Sequence, residues 1–94
     1  MTKRKTKKQH LVELGNIIYN HRMNLLLEKD SRSYFLDDRT QKGLLKENTI
    51  SEKTLSNIEN GYNLPSLSTL VYLSDALEID LNDLLDDIKP FILE

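Results

Sequence analysis

Apolar residues recur every three or four positions along most of this chain, and that spacing restricts it to helical folds. The pattern predicts a first helix over about residues 11–27, and it returns over residues 67–77 and 81–88. No segment alternates apolar and polar residues convincingly, as a strand would. With 94 residues, three glycines and two prolines, the chain is long enough for one modest core. We therefore predict a single all-α domain of five helices.

Polar residues predict where three of the later helices begin. Ser51, Ser66 and Asp80 each precede an apolar repeat, and each side chain can accept a hydrogen bond from the first helical turn. The helix after Ser51 is predicted to run to residue 59 or 60, where Gly61 supplies a left-handed stop. In the helix after Ser66, the residues predicted to line one inward face are Leu67, Leu70, Val71 and Leu77.

The helix before Ser51 has two alternative starts. One alternative is a short helix over residues 41–47, with Thr40 as its cap. In the other, the helix begins near Ser33, because four residues from that point share one helical phase: Leu36, Thr40, Gly43 and Leu44. The sequence does not decide between them.

Charge is strongly polarised along the chain. Five of the 13 basic residues fall within the first eight positions, whereas seven of the 15 acidic residues lie from Asp75 onward. We therefore divide the chain into a basic flexible arm (1–9), a helical domain (10–88) and an apolar C-terminal tail (89–94). The arm is predicted to contact an anionic partner, and its charge alone fits DNA, RNA or a membrane surface equally well. Its basic residues are Lys3, Arg4, Lys5, Lys7 and Lys8.

Several functional classes leave no trace in the sequence. No apolar run approaches the ~18 residues that a membrane span needs, and no secretory signal is present, so we expect a cytoplasmic protein without a membrane partner. The chain has no cysteine and its two histidines are well separated, so we predict no metal site and no cofactor. Asp37 and Asp38 are sequence neighbours that point apart on a helix, and no phosphate-binding loop or nucleophile–base set occurs. We therefore expect a binding protein and not an enzyme.

The most specific signal is the run T-Q-K-G-L-L-K-E-N-T-I-S-E-K-T-L-S-N-I-E-N-G-Y-N-L-P-S-L-S-T-L, residues 40–70. It resembles the Cro/phage-repressor (Xre-like) helix-turn-helix family, in which a glutamine and a leucine precede I-E-x-G and P-S-L-x-T-L. The resemblance implies a five-helix DNA-binding domain over residues 10–88 with the helix-turn-helix at helices 2 and 3. It also implies a transcriptional regulator, expected to be a repressor, that places residues 51–60 in the major groove of a double-stranded operator. Because one short helix reads only a few base pairs, we expect the protein to act as a homodimer.

Two positions depart from the family pattern, and so does one connection. Leu45 and Thr49 stand where the family usually has a small residue and a glycine. The connection between the first and second helices is expected to be longer than is typical.

The resemblance also assigns contacts to individual residues. The expected base contacts are Glu52, Lys53 and Asn57, with Ser51, Thr54 and Ser56 as lesser ones. Lysine suits guanine, asparagine suits adenine, and glutamate can accept from the cytosine amino group. Gln41 is expected to bind phosphate at the start of the second helix. The other phosphate contacts that the resemblance implies are Thr40, Asn60, Tyr62 and Asn63. The arm lies outside the resemblance, and its five basic residues are expected to bind phosphate through their charge.

Some of these features have a second interpretation. Glu59 is expected to be structural, paired with Arg22, because phosphate repels an acid. Glu52 could instead favour the N-terminal dipole of its own helix, and the arm could be only a solubilising tail. In the segment 30–39, the bulky side chains of residues 34–36 are expected to be ordered, since their burial is favourable.

The tail bears on assembly. The apolar residues of the tail are Phe91, Ile92 and Leu93, and the helix before the tail ends with Ile88. We expect them to form the seam of the homodimer, or alternatively to fold back on the first helix of their own subunit. An alternative function is an antitoxin or accessory regulator of the same fold that acts mainly through a regulatory protein partner. A third is a nonspecific binder of RNA or membrane surfaces driven by the arm.

Overall fold

The computed structural model describes residues 7–94, and over these residues the protein consists of five α-helices without a strand. The helices are α1 (Gln9–Asn24), α2 (Arg32–Gln41), α3 (Glu52–Glu59), α4 (Leu67–Ala76) and α5 (Leu81–Ile88), followed by a short 3₁₀ helix (Lys89–Phe91). The predicted all-α, five-helix fold is confirmed. The arm residues Lys3, Arg4 and Lys5 lie outside the described part of the chain.

The three predicted helix caps are confirmed. The Oγ of Ser51 accepts from the Thr54 amide at 3.0 Å, and Asp80 Oδ1 accepts from the Asn82 amide at 2.7 Å. Ser66 caps α4 in the same way as Ser51 caps α3. Each cap bonds an amide that has no partner inside its own helix. Gly61 follows α3 with φ of 81°, so the predicted left-handed stop is confirmed as well.

The second helix lies earlier than residues 41–47, and that prediction is wrong. Helix α2 begins at Arg32, where Ser31 Oγ accepts from the Tyr34 amide at 3.2 Å, so the alternative start near Ser33 is confirmed. Thr40 is no cap, because its hydroxyl donates to the Leu36 carbonyl inside α2. The helix ends before Gly43, whose φ of 75° is incompatible with a right-handed helix.

The long connection of this fold lies between α2 and α3, over residues 42–51. The expectation that it separates α1 from α2 is therefore wrong, since only residues 25–31 join those helices. The long connection reverses at Gly43 and again at Asn48, which has a φ of 61°. Buried Leu45 and Ile50 fix it to the core, which explains why a larger residue is tolerated at position 45.

A glycine brings α1 and α3 together. A Cβ atom added at Gly15 would lie 2.4 Å from the Ile58 carbonyl oxygen and 2.5 Å from that of Glu59. The backbone of α3 therefore rests directly on α1. Leu14 of α1 and Leu55 of α3 are completely buried on the same two helices. The loss of helix propensity caused by a glycine inside α1 is thus offset by the close packing of the two backbones.

Helix α4 presents a different face to the core from the one predicted. Leu70, Leu73 and Ala76 are buried, whereas Leu67 is 66% exposed and Val71 is 38% exposed. The prediction of an inward-facing Leu67 and Val71 is wrong, because apolar residues cover more than one side of this helix and periodicity could not distinguish them.

The tail folds back on its own subunit. The 3₁₀ helix packs against α1, and Phe91 and Ile92 are partly buried against the core. The Lys8 ammonium lies 2.8 Å from the Glu94 carboxylate, and this hydrogen bond raises the pKa of Lys8 and lowers the pKa of Glu94. Leu93 stays 80% exposed. The second alternative for the tail is the one that the structure shows.

A buried arginine joins α2 to the end of α4, and sequence reasoning did not identify it. Arg39 is 2% exposed, donates to Asp38 Oδ2 and places Nη1 2.6 Å from Glu78 Oε2. The hydrogen bond from Arg39 lowers the pKa of Asp38, with Lys42 adding to the effect against the opposing influence of burial.

Asp38→Asn should therefore destabilise the protein at neutral pH and matter less in acid. A carboxylate whose pKa is lowered by folding stabilises the protein above its ordinary pKa of 3.8, and that contribution is lost as the pH falls through the lower, folded value. Urea unfolding of both proteins at neutral pH and at a series of values below 3.8 measures this. Asp37→Asn is the matched control at an exposed position and should change stability little. A deficit of Asp38→Asn that is the same at every pH would contradict the assignment.

Candidate nucleic-acid interface

The first turn of α3 is the most exposed part of the helix-turn-helix. Glu52, Lys53 and Thr54 are exposed, as is the capping residue Ser51. Leu55 and Ile58 are buried and fix the opposite face. This amphipathic arrangement turns the polar side of α3 away from the core and leaves its N-terminal half open to a partner.

Two of the predicted base-contacting residues share the open face of α3. Lys53 and Asn57 are one helical turn apart, which places them side by side. Within residues 7–94, Lys53 makes no ion pair and the Asn57 side chain makes no hydrogen bond. Glu52 likewise has no salt bridge to another described residue. The three side chains retain their full hydrogen-bonding capacity.

The hydroxyl groups along α3 are already engaged. Ser51 Oγ donates to Thr54 Oγ1 at 2.9 Å while it also caps the helix. Ser56 Oγ accepts from the Asn60 amide group at 3.2 Å. These residues support the helix ends, and a contact with a partner would use only their remaining bonding capacity.

The loop after α3 lies beside the C-terminal end of the arm. Tyr62 is half-buried and Asn63 is exposed. The Lys7 ammonium lies over the Tyr62 ring, 5.2 Å from its centroid, a cation–π contact. Val12 of α1 packs onto Gly61 in the same loop. The described end of the arm therefore meets the C-terminal end of α3.

The expected phosphate contacts at Thr40 and Gln41 have a different setting from the one implied by the resemblance. Gln41 is exposed, but it is the last residue of α2 and not the first. The start of α2, where free amides attract anions, is formed by Ser31 and Arg32. The helix start expected at Gln41 is therefore wrong. The phosphate contacts of Thr40 and Gln41 stay predictions.

The structural interpretation of Glu59 is confirmed. Arg22 Nε and Nη2 donate to its two carboxylate oxygens at 2.7 and 2.9 Å, a bidentate pair between side chains that are 4% and 1% exposed. Arg32 adds a second guanidinium at 2.9 Å. The pair joins α1 and the start of α2 to the end of α3, so it sets the position of α3. Sequence reasoning missed Arg32 because its partner Glu59 lies 27 residues further along the chain.

The described part of the chain shows neither a metal cluster nor a membrane-spanning helix. No group of three or more metal-ligating side chains forms over residues 7–94. None of the helices in that range is both long and apolar enough to cross a bilayer.

A family model described as helix-turn-helix matches residues 39–84. The match takes in α3, α4, the first half of α5 and only the end of α2. It includes every exposed residue of α3 discussed above. No curated protein and no solved structure shows a significant match.

Proposed function

Since residues 39–84 belong to the helix-turn-helix family, as the sequence resemblance implied, we propose that this DNA-binding protein is a sequence-specific transcriptional repressor. It acts by occupying a double-stranded operator in the cytoplasm as a homodimer, and not as an enzyme. The single observation that carries the proposal is the open, hydrogen-bonding face at the start of α3. A helix with such a face fits the width of the major groove.

The base contacts in this proposal come from three side chains. Lys53 donates to the two acceptors of guanine, Asn57 pairs with adenine, and Glu52 accepts from the amino group of cytosine. The exposure of Glu52 and Lys53 and the lack of side-chain partners for all three within residues 7–94 support these roles, and Asn57 is half-buried. Ser51, Thr54 and Ser56 contribute less, since each already bonds within the helix or its caps.

Phosphate contacts flank α3 in this proposal. The loop after α3 brings three residues to the DNA backbone: Asn60, Tyr62 and Asn63. The end of α2 brings Thr40 and Gln41. The arm adds the charges of Lys3, Arg4, Lys5 and Lys7, and that of Lys8 when its ion pair with Glu94 opens. The position of Lys7 over Tyr62 supports this placement, since it holds the C-terminal end of the arm beside the loop that contains Tyr62 and Asn63. Cations bound along phosphates add affinity without sequence choice.

The acidic end of the molecule sets the orientation. Asp83, Asp86 and Asp87 are exposed on α5, which packs against α4, the 3₁₀ helix and α1. Their charge is repelled by DNA, so α5 faces away from the duplex while Lys53 faces it. The arm, whose Lys8 is paired with Glu94 of the tail, reaches the duplex through its other basic residues. This distribution explains how a chain with a formal net charge of −2 binds a polyanion.

Lys53→Ala and Asn57→Ala should each weaken binding to the cognate duplex by about 1–3 kcal/mol and relax the preference at one base pair. Lys89→Ala is the matched control, because it removes an exposed lysine from the acidic end of the molecule and should leave affinity unchanged. Fluorescence anisotropy with cognate and scrambled duplexes measures all three. If Lys53→Ala and Asn57→Ala weakened binding to both duplexes equally, the two residues would be backbone contacts and the proposal for α3 would be wrong.

A further inference from the structure

Helix α4 begins with an exposed apolar surface. Leu67 is 66% exposed, Leu64 is 48% exposed and Val71 is 38% exposed. Leu67 and Val71 are four residues apart and so share one face of α4, and Leu64 lies just before the helix. We call these three residues the α4 patch. Their exposure to water is unfavourable unless another surface covers them.

Charge is almost absent around the α4 patch. From residue 61 to residue 77 the single charged residue is Asp75, in a chain of which 30% is charged. A surface that faces solvent normally carries charged side chains. Depletion of charge together with exposed apolar side chains is instead the composition found at the centre of protein interfaces.

We propose that the α4 patch pairs with the α4 patch of a second copy of this chain and forms the seam of the dimer. The inference rests on the proposed function, because reading an operator with one short helix requires two copies. In a twofold pair the same surface meets itself, so any charge at its centre would face an identical charge. An uncharged patch avoids that repulsion, while it offers no ion pair to a partner of opposite charge.

The position of the patch favours this pairing. It begins at Leu64, within the loop of residues 60–66 that joins α3 to α4, so a twofold axis through the patch passes near α3 of each copy. Two helices that read half-sites about 34 Å apart on one face of a duplex require such closeness. The tail is a poorer seam, because Phe91 and Ile92 already pack on the core of their own subunit and leave mainly Leu93 exposed.

Sedimentation equilibrium of the full chain without DNA tests the seam. The wild-type mass should rise from 11.0 kDa towards twice that value as the concentration increases, and Leu67→Glu should remain at the mass of one chain. Val71→Lys is a second variant on the same face and should behave alike. Leu93→Glu is the matched control, since it places a charge on an even more exposed leucine outside the patch and should dimerise as the wild type does. Circular dichroism confirms that each variant keeps its helices.

Two results would overturn the proposal. A wild type that stays monomeric at every concentration tested would show that a second copy does not cover the patch. Dimers that survive Leu67→Glu and Val71→Lys but are lost in Leu93→Glu would move the seam to the tail. A wild type that dimerises through the patch but binds no DNA would sink the proposed function and leave the seam intact, so the two failures are distinguishable.

Discussion

Replacing Glu59 by alanine should lower the free energy of unfolding by about 3–5 kcal/mol, which is a large part of the stability of a domain of this size. The carboxylate is 1% exposed and holds Arg22 at 2.7 Å and Arg32 at 2.9 Å. Without it, the guanidinium of Arg22, itself 4% exposed, would stay buried without its counter-charge. Removing one partner of such a pair costs far more than the pair contributes, because the remaining charge has lost its hydration.

Urea unfolding of Glu59→Ala measures this effect, and Glu52→Ala is the matched control on the same helix. Glu52 is exposed, so its loss should cost no more than about 1 kcal/mol through the helix dipole. The two variants should also affect DNA binding in different ways. Glu52→Ala changes the sequence preference of a stable protein, whereas Glu59→Ala weakens binding through loss of folded protein. A Glu59→Ala protein as stable as the wild type would contradict the role assigned to the pair.

Gly15→Ala should destabilise the protein by about 3 kcal/mol or more, since overpacking a rigid contact has a cost of this order. The added methyl group would lie 2.4 Å from the Ile58 carbonyl oxygen. That neighbour is backbone of α3 and cannot rotate away as a side chain would. Relief requires α1 and α3 to separate, which also strains the Arg22–Glu59 pair across the same interface.

Asn16→Ala is the control for Gly15→Ala. Asn16 follows Gly15 in α1 but is exposed, so alanine there should be neutral or slightly stabilising through its higher helix propensity. Thermal unfolding followed by circular dichroism compares the two proteins directly. A Gly15→Ala protein with the melting temperature of the wild type would show that the two helices are not held together as tightly as described.

Local chemistry made much of this fold predictable. The caps at Ser51 and Asp80 and the stop at Gly61 depend on a few neighbouring residues, and the structure has all three as expected. The error over α2 has the opposite origin. The resemblance set the helix start at Gln41, yet Ser31 caps the helix and buried Phe35 and Arg39 fix it in the core. Tertiary burial decided between two locally acceptable starts.

The site was predictable to a similar extent. The pairing of Glu59 with Arg22 followed from the repulsion of an acid by phosphate, and it is present. Arg32 and Arg39 were not found, because each pairs with an acid at least 27 residues away, and that proximity exists only in the folded chain. The outward turn of Leu67 was missed for a related reason: periodicity gives the spacing of apolar residues but not which neighbour covers them.

The measurement that tests the central claim most directly is selection of bound fragments from a pool of randomised DNA duplexes by the full chain, with Lys53→Ala and Asn57→Ala selected in parallel. We predict that the wild type enriches one sequence arranged as two related half-sites, and that each variant loses preference at a single position within each half-site. Fragments that remain random after repeated rounds with the wild type, while still binding it, would contradict the account.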